Sequence, residues 1–257
     1  MNLRRIVVIA MNVFQEVIRD RVLYLMILFA VFMVAAVRLL PEIAATTEDK
    51  IIRDVGLAGM TVLGLVVAVF VGTGLVNKEI EKRTVLVMLA KPISRVEFIV
   101  GKHLGLSAVL AVLVAAMTAI YMAVLTMNRI AFPVNSILIS SVFLWLLLSL
   151  MTAVAIAFGV FTSSLLATLL TFTVFLMGSF SANLVVLGAQ SKNPTVEAIT
   201  RNLYLVLPDL SRLDLKNQAV YGLLPNPDVL GLNALYAVLY IVVLLAIATL
   251  IFSRRQF

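Results

Sequence analysis

The chain has 257 residues, 63% of them hydrophobic and 13% charged, with a formal net charge of +7 and a mean hydropathy of +1.13. Soluble domains carry about 25% charged residues, and a water-facing fold of this length could not cover so much apolar surface with so few charges. The composition therefore excludes an ordinary soluble domain and makes lipid the solvent; zero cysteines exclude disulfides, thiolate metal sites and thiol nucleophiles.

Residues 1–21 predict a helix lying in the membrane interface. Arg5, Asn12, Glu16 and Arg19 share one helical face, and Leu3, Ile6, Val7, Ala10, Val13, Phe14 and Val17 make a broad apolar one. The alternative is an extension of the first span. No small-residue cleavage site precedes the charged stretch 16–21, so a cleaved leader is not expected. Six mostly apolar segments follow, over 22–40, 55–76, 104–126, 137–161, 165–187 and 232–252. Each meets the roughly 20 residues a spanning helix needs. The expected fold is an all-α integral membrane protein, a single transmembrane domain over 1–257.

The second and third spans are joined by the polar segment 77–103. Lys78, Glu79, Glu81, Lys82 and Arg83 are expected to begin a short helix there, because Lys78/Lys82 and Glu79/Arg83 stand four apart and share faces. Pro92 cannot continue it. Ser94 and Glu97 have capping-box spacing, with Ile93 and Phe98 flanking them as a hydrophobic staple. The order helix, sharp turn, new helix is a rigid elbow built on Pro92, Ser94 and Glu97. Residues 162–164 are uncharged and short, which predicts a tight hairpin between the fourth and fifth spans. In the last loop, 188–231, Asn193-Pro194 suits a helix start, and Val196, Ile199, Leu203 and Leu207 follow helical spacing. That predicts an amphipathic helix on the outer surface, followed by an irregular stretch over 209–231.

Six spans put both termini on one side. That side holds twelve basic and five acidic residues, the other eight of each, so the whole excess charge lies on the side of the termini. By the positive-inside rule this side is cytoplasmic. The basic character reads as topology and contact with anionic lipid, not nucleic-acid binding, since the basic residues are spread over three short segments.

Ionisable residues inside spans mark ion or proton paths. The predicted span cores hold essentially none; Arg38 is at the outer end of the first, and Asn183 is the most polar residue of the fifth. This argues against a proton-coupled carrier or cation pump. His103, the only histidine, is expected at the interface as an amphipathic side chain. No H-E-x-x-H, G-x-S-x-G or Walker A sequence occurs, so no catalytic or metal site of its own is expected. Gly56, Gly59, Gly64, Gly72 and Gly74, with Ala153 and Ala157, have spacings that allow close helix approach within or between subunits.

Residues 72–84, GTGLVNKEIEKRT, and 89–102, LAKPISRVEFIVGK, together resemble the type-two ABC exporter permease family. The first contains the family's E-x-E-x-x-T-like run, the second its K-P-I-S-R-x-E-F…G-K stretch. Residues 16–21, EVIRDR, look like the family's helix before the first span, and 207–215, LPDLSRLDL, is similar to the branch that includes nitrous-oxide-reductase maturation permeases.

The resemblance implies a membrane-spanning permease in the plasma (inner) membrane with both termini cytoplasmic. Two such chains, identical or close paralogues, pair, and each docks a separate ABC ATPase subunit that binds ATP and Mg; this chain binds no cofactor itself. Residues 78–91 would be the coupling helix, with Lys78, Glu79, Glu81, Lys82, Arg83 and Lys91 at the docking surface, and the elbow would pass ATP-driven motion to the third span. The implied task is export. The alternative is mechanical transmission to a periplasmic partner protein through 188–231, without solute transport.

Overall fold

The structure, a computed structural model, describes residues 2–19, 23–43, 48–81, 94–191 and 193–254. The described residues are almost entirely helical: α1 (Leu3–Val17), α2 (Leu23–Ile43), α3 (Glu48–Glu81), α4 (Arg95–Met127), α5 (Val134–Phe161), α6 (Ser164–Ser179), α7 (Ser181–Gln190), α8 (Pro194–Val206), a 3₁₀ turn (Leu210–Arg212), α9 (Lys216–Tyr221) and α10 (Pro227–Arg254). Helices α2, α3, α4, α5 and α10 are each long and apolar enough to cross a membrane. At 34 and 33 residues, α3 and α4 are about 50 Å long and overrun the ~30 Å hydrocarbon core.

The fifth span differs from the expected straight helix over 165–187. That stretch forms α6 and α7, which are long and apolar enough for a span only as a pair and are bent by 69°. At the bend Phe180 leaves helical geometry (ψ 7°). Ser179 bonds back to the Phe175 carbonyl at 2.7 Å, Ser181 turns to Asp209, and Gly178 lies against Pro208, where a Cβ would come within 2.6 Å of the Pro208 oxygen. Serine hydroxyls that bond locally and a weak helix former pressed by another chain segment are recognised causes of helix bending.

The segment after the second span also differs. No separate helix begins at Lys78; α3 continues unbroken through Glu81. No proline interrupts it, and Gly72 lies within its packed length, where a Cβ would meet Ala155 of α5 at 2.9 Å.

α5 is the most buried span and the hub of the bundle, touching α3, α4, α6, α9 and α10. The glycine stripe of α3 serves packing inside the chain: Gly56 lies under the Tyr121 ring, Gly59 against Phe32, Gly64 against Leu148 and Gly72 against Ala155. Glycine there lets helix backbones approach and make dispersion contacts, the main attraction between helices in lipid.

α1 lies along α4. Its buried face is Ile6, Val13 and Val17, and it crosses α4 at Gly101 and Gly105, where a Cβ would press on Ile9 and on the Ala10 carbonyl. Leu3, Val7 and Met11 form an exposed apolar stripe beside this docked face.

Candidate functional site

The first turn of α4 gathers three helix ends. Ser94 is the N-cap: its Oγ accepts from the Glu97 backbone N–H (3.1 Å), and the Glu97 carboxylate accepts from the Ser94 N–H (3.0 Å). The other Glu97 oxygen accepts from the backbone N–H of Asn2 at 2.6 Å, and Arg5 stands 3.9 Å from the carboxylate. One buried carboxylate thus satisfies donors at the N-termini of both α1 and α4, where orphan N–H groups and helix dipoles favour negative charge. Arg95 points the other way. Its guanidinium donates to the carbonyls of Phe252 (3.0 Å) and Ser253 at the end of α10, meeting the helix terminus where a cation is favoured. The Phe98 and Phe252 rings stack at 5.7 Å, and the Lys102 ammonium lies 5.6 Å from the Phe98 centroid.

Asn77 is the counterpart on α3. In the orientation that satisfies both partners, its buried amide nitrogen donates at 2.9 Å to the carbonyls of Gly159 and Thr162, which end α5. Nearby, the Thr73 and Thr168 hydroxyls meet at 3.1 Å between α3 and α6. Residues 78–93 are therefore bracketed. Upstream, Asn77 is bonded to the α5–α6 turn; downstream, residues 94–98 are bonded to α1 and α10.

A polar seam continues from this end between α4 and α5. His103 Nε2 donates to the Ser149 carbonyl at 3.0 Å, Ser107 Oγ donates to Ser149 Oγ at 3.0 Å, and Trp145 donates to the Ser107 carbonyl at 2.9 Å. Further along, Thr118 donates to Ser141 at 2.8 Å. His103, expected to present an amphipathic side chain at the interface, instead has its ring buried in the bundle, because a histidine one turn past Ile99 falls on the face of α4 that packs against α5. The expected span core 104–126 carries no acidic or basic side chain; Glu97, Lys102 and His103 lie on the first turns of α4, ahead of it, and are buried against neighbouring helices.

At the opposite end a second polar centre holds residues 206–215. Asp209 accepts from Ser181 (3.1 Å), from the Ser211 hydroxyl (2.6 Å) and from Arg212 (3.1 Å), and its own N–H donates to the Tyr236 hydroxyl (2.8 Å). Burial raises the Asp209 pKa, but the hydrogen bonds from Ser211, Arg212 and Ser181, with the Arg212 charge, outweigh that and hold it below the usual carboxylate value. Leu210, Leu213 and Leu215 are buried beneath. The expected irregular stretch is therefore an ordered cap with a 3₁₀ turn and α9.

Of the docking residues expected from sequence, Lys78, Glu79 and Glu81 lie on the last turn of α3, with side chains outside the described residues; Lys82, Arg83, Lys91 and Pro92 lie wholly outside them. Ser94 and Glu97 are brought together as expected from their spacing. Arg95, Asn77 and His103 were not singled out as site residues. The only signal for Asn77 was a polar residue ending an apolar span. Among the described residues no group of three or more His, Asp or Glu could hold a metal ion.

Residues 7–257 match the family model described as ABC-2 family transporter protein. The chain belongs to the ABC-2 transporter family. No curated protein matches it. The ABC-2 match covers every span, so the chain is a multi-pass membrane permease component of an ABC transporter, a class that associates with an ABC ATPase. The bracketed segment 78–93 lies inside the ABC-2 match, as do α4 and the Asp209 cap.

Proposed function

We propose that this ABC-2 chain converts ATP hydrolysis on a separate subunit into substrate export, and that the force enters through residues 78–93. The observation that carries this reading is the bracketing of that segment. A displacement of residues 78–93 reaches the end of α5 through Asn77 and α6 through Thr73, whose hydroxyl meets that of Thr168. It reaches α1 through Glu97 and α10 through Arg95. A segment without a mechanical task has no need to be flanked by bonds to four other helices.

In this reading Lys78, Glu79, Glu81, Lys82, Arg83 and Lys91 dock an ABC ATPase that holds ATP and Mg. Two permease chains and two ATPase copies make the complex, and the end bearing the termini faces the cytoplasm. The charge count supports that orientation, because the excess basic residues lie at this end. Opposite charges at Glu79 and Arg83 are expected to reduce permease-stimulated ATPase activity and transport while membrane insertion is retained. If transport and co-purification with the ATPase both survive the reversal, the docking assignment is wrong.

A second reading is supported by α8, which has no buried residue and exposes Ile199, Leu205 and Val206. There the same motion acts on a periplasmic protein instead of moving a solute. Deleting 193–206 separates the two, since only the second reading expects loss of a protein partner from a chain that never transported.

A further inference from the structure

Helices α5, α6 and α10 line a half-open cleft of about 630 Å³. Val154, Ala157 and Phe158 of α5 make its floor, with Val174 of α6 and Val243 and Ile247 of α10 as walls. Residues 205–208 close it at the end away from the termini. That closure is pinned, since Tyr240 donates to the Val206 carbonyl at 2.7 Å and Tyr236 accepts from the Asp209 N–H. Apart from these two engaged tyrosines, every lining side chain is hydrocarbon.

Water has no set of polar partners here, and apolar cavities stay dry. A polar ligand has none either. An empty cleft would forfeit dispersion contacts along its whole lining. The cleft follows α10 from Tyr236 to Ile251, about 22 Å at ~1.5 Å per residue, comparable with one extended long acyl chain. It lies along a membrane-spanning helix, so lipid chains surround it. Charge selects the kind of lipid. Arg254 is exposed and stands three residues beyond Ile251, on the same face of α10 as Val243, Ile247 and Ile251. A cation therefore lies at the mouth where a headgroup would sit.

We propose that this cleft holds one acyl chain of an anionic glycerophospholipid drawn from the leaflet on the side of the termini, with the headgroup phosphate at Arg254. The chain fills the space between α6 and α10 and supports the pinned segment 205–208 from below. This is independent of how the ATPase docks.

The test is native mass spectrometry of the full chain in mild detergent, after exchange with equal amounts of phosphatidylglycerol and phosphatidylcholine of matched chains. One retained lipid per chain is expected, with phosphatidylglycerol preferred. Val243→Trp, at the exposed rim, and Ala157→Leu, at the floor, should each lower retention by at least about tenfold, equivalent to about 1.4 kcal/mol. Arg254→Gln should keep the lipid and lose the headgroup preference. Absence of any retained lipid, or unchanged retention in the folded Val243→Trp variant, overturns the proposal. So does a plug that converts a chain–chain dimer to monomer with the lipid count unchanged, because the cleft would then be covered by a second copy. An intact preference in Arg254→Gln overturns the headgroup assignment.

Discussion

The backbone N–H of Asn2 donates to the Glu97 carboxylate at 2.6 Å, across 95 positions of sequence. The same carboxylate closes the capping box of α4 with Ser94. Two helices far apart in sequence are therefore ended by one side chain, and α1 cannot leave α4 without exposing an orphan donor.

Glu97→Gln keeps the shape and loses the charge. It should weaken the hold on Asn2 and Arg5, and Glu97→Ala should weaken it further. Cysteine labelling at position 6 or 13, both buried against α4 in the wild-type chain, would report the release. Equal protection in all three proteins would show that glycine packing alone docks α1.

Gly105 and Gly231 should respond in opposite directions to alanine. A Cβ at Gly105 would lie 2.6 Å from the Ala10 carbonyl, which is backbone and cannot rotate away; overpacking of this kind costs about 1–3 kcal/mol. At Gly231 nothing lies within 4 Å, and a helical Gly→Ala change gains about 0.5–1 kcal/mol. Thermal melts of the two variants in one detergent check the signs.

Asn77→Leu leaves the carbonyls of Gly159 and Thr162 without their side-chain donor. An unsatisfied buried polar group costs about 1–3 kcal/mol, so a lowered melting temperature is expected. In the proposed mechanism it should also cut the transport obtained per ATP hydrolysed. A stability loss with that ratio intact would confine Asn77 to a structural role.

The outer cap should weaken in acid. The folded Asp209 carboxyl is held below its unfolded value, so its contribution is fully present above the unfolded pKa, about 3.9. It is lost as pH falls through the lower folded value. The stability difference between wild type and Asp209→Asn should therefore be constant near neutral pH and shrink below about pH 4. Hydrogen exchange over 206–215 is the direct measurement.

Much of the bundle was legible in the residues. Six apolar runs predicted six crossings; five helices are long and apolar enough to cross, and the bent pair α6 and α7 makes a sixth if it is taken as one span. Ser94 and Glu97 announced their cap by spacing, since a capping box is a local bond between residues three apart. The bend after Gly178 was not legible, because the segment that packs against it, at Pro208 and Asp209, is about thirty positions away in sequence. Nor was Glu97's second partner, Asn2, or the burial of His103. These depend on which helix lies alongside.

Composition and periodicity alone therefore determined that the chain lives in lipid and where its long apolar helices run, since both follow from hydrocarbon thickness and the cost of desolvating charge. Only the tertiary structure decided that the segment 78–93 is tied at Asn77 to α5 and at Arg95 and Glu97 to α10 and α1. Those bonds join helix ends remote in sequence, and a helix end takes whichever partner packing brings within about 3 Å.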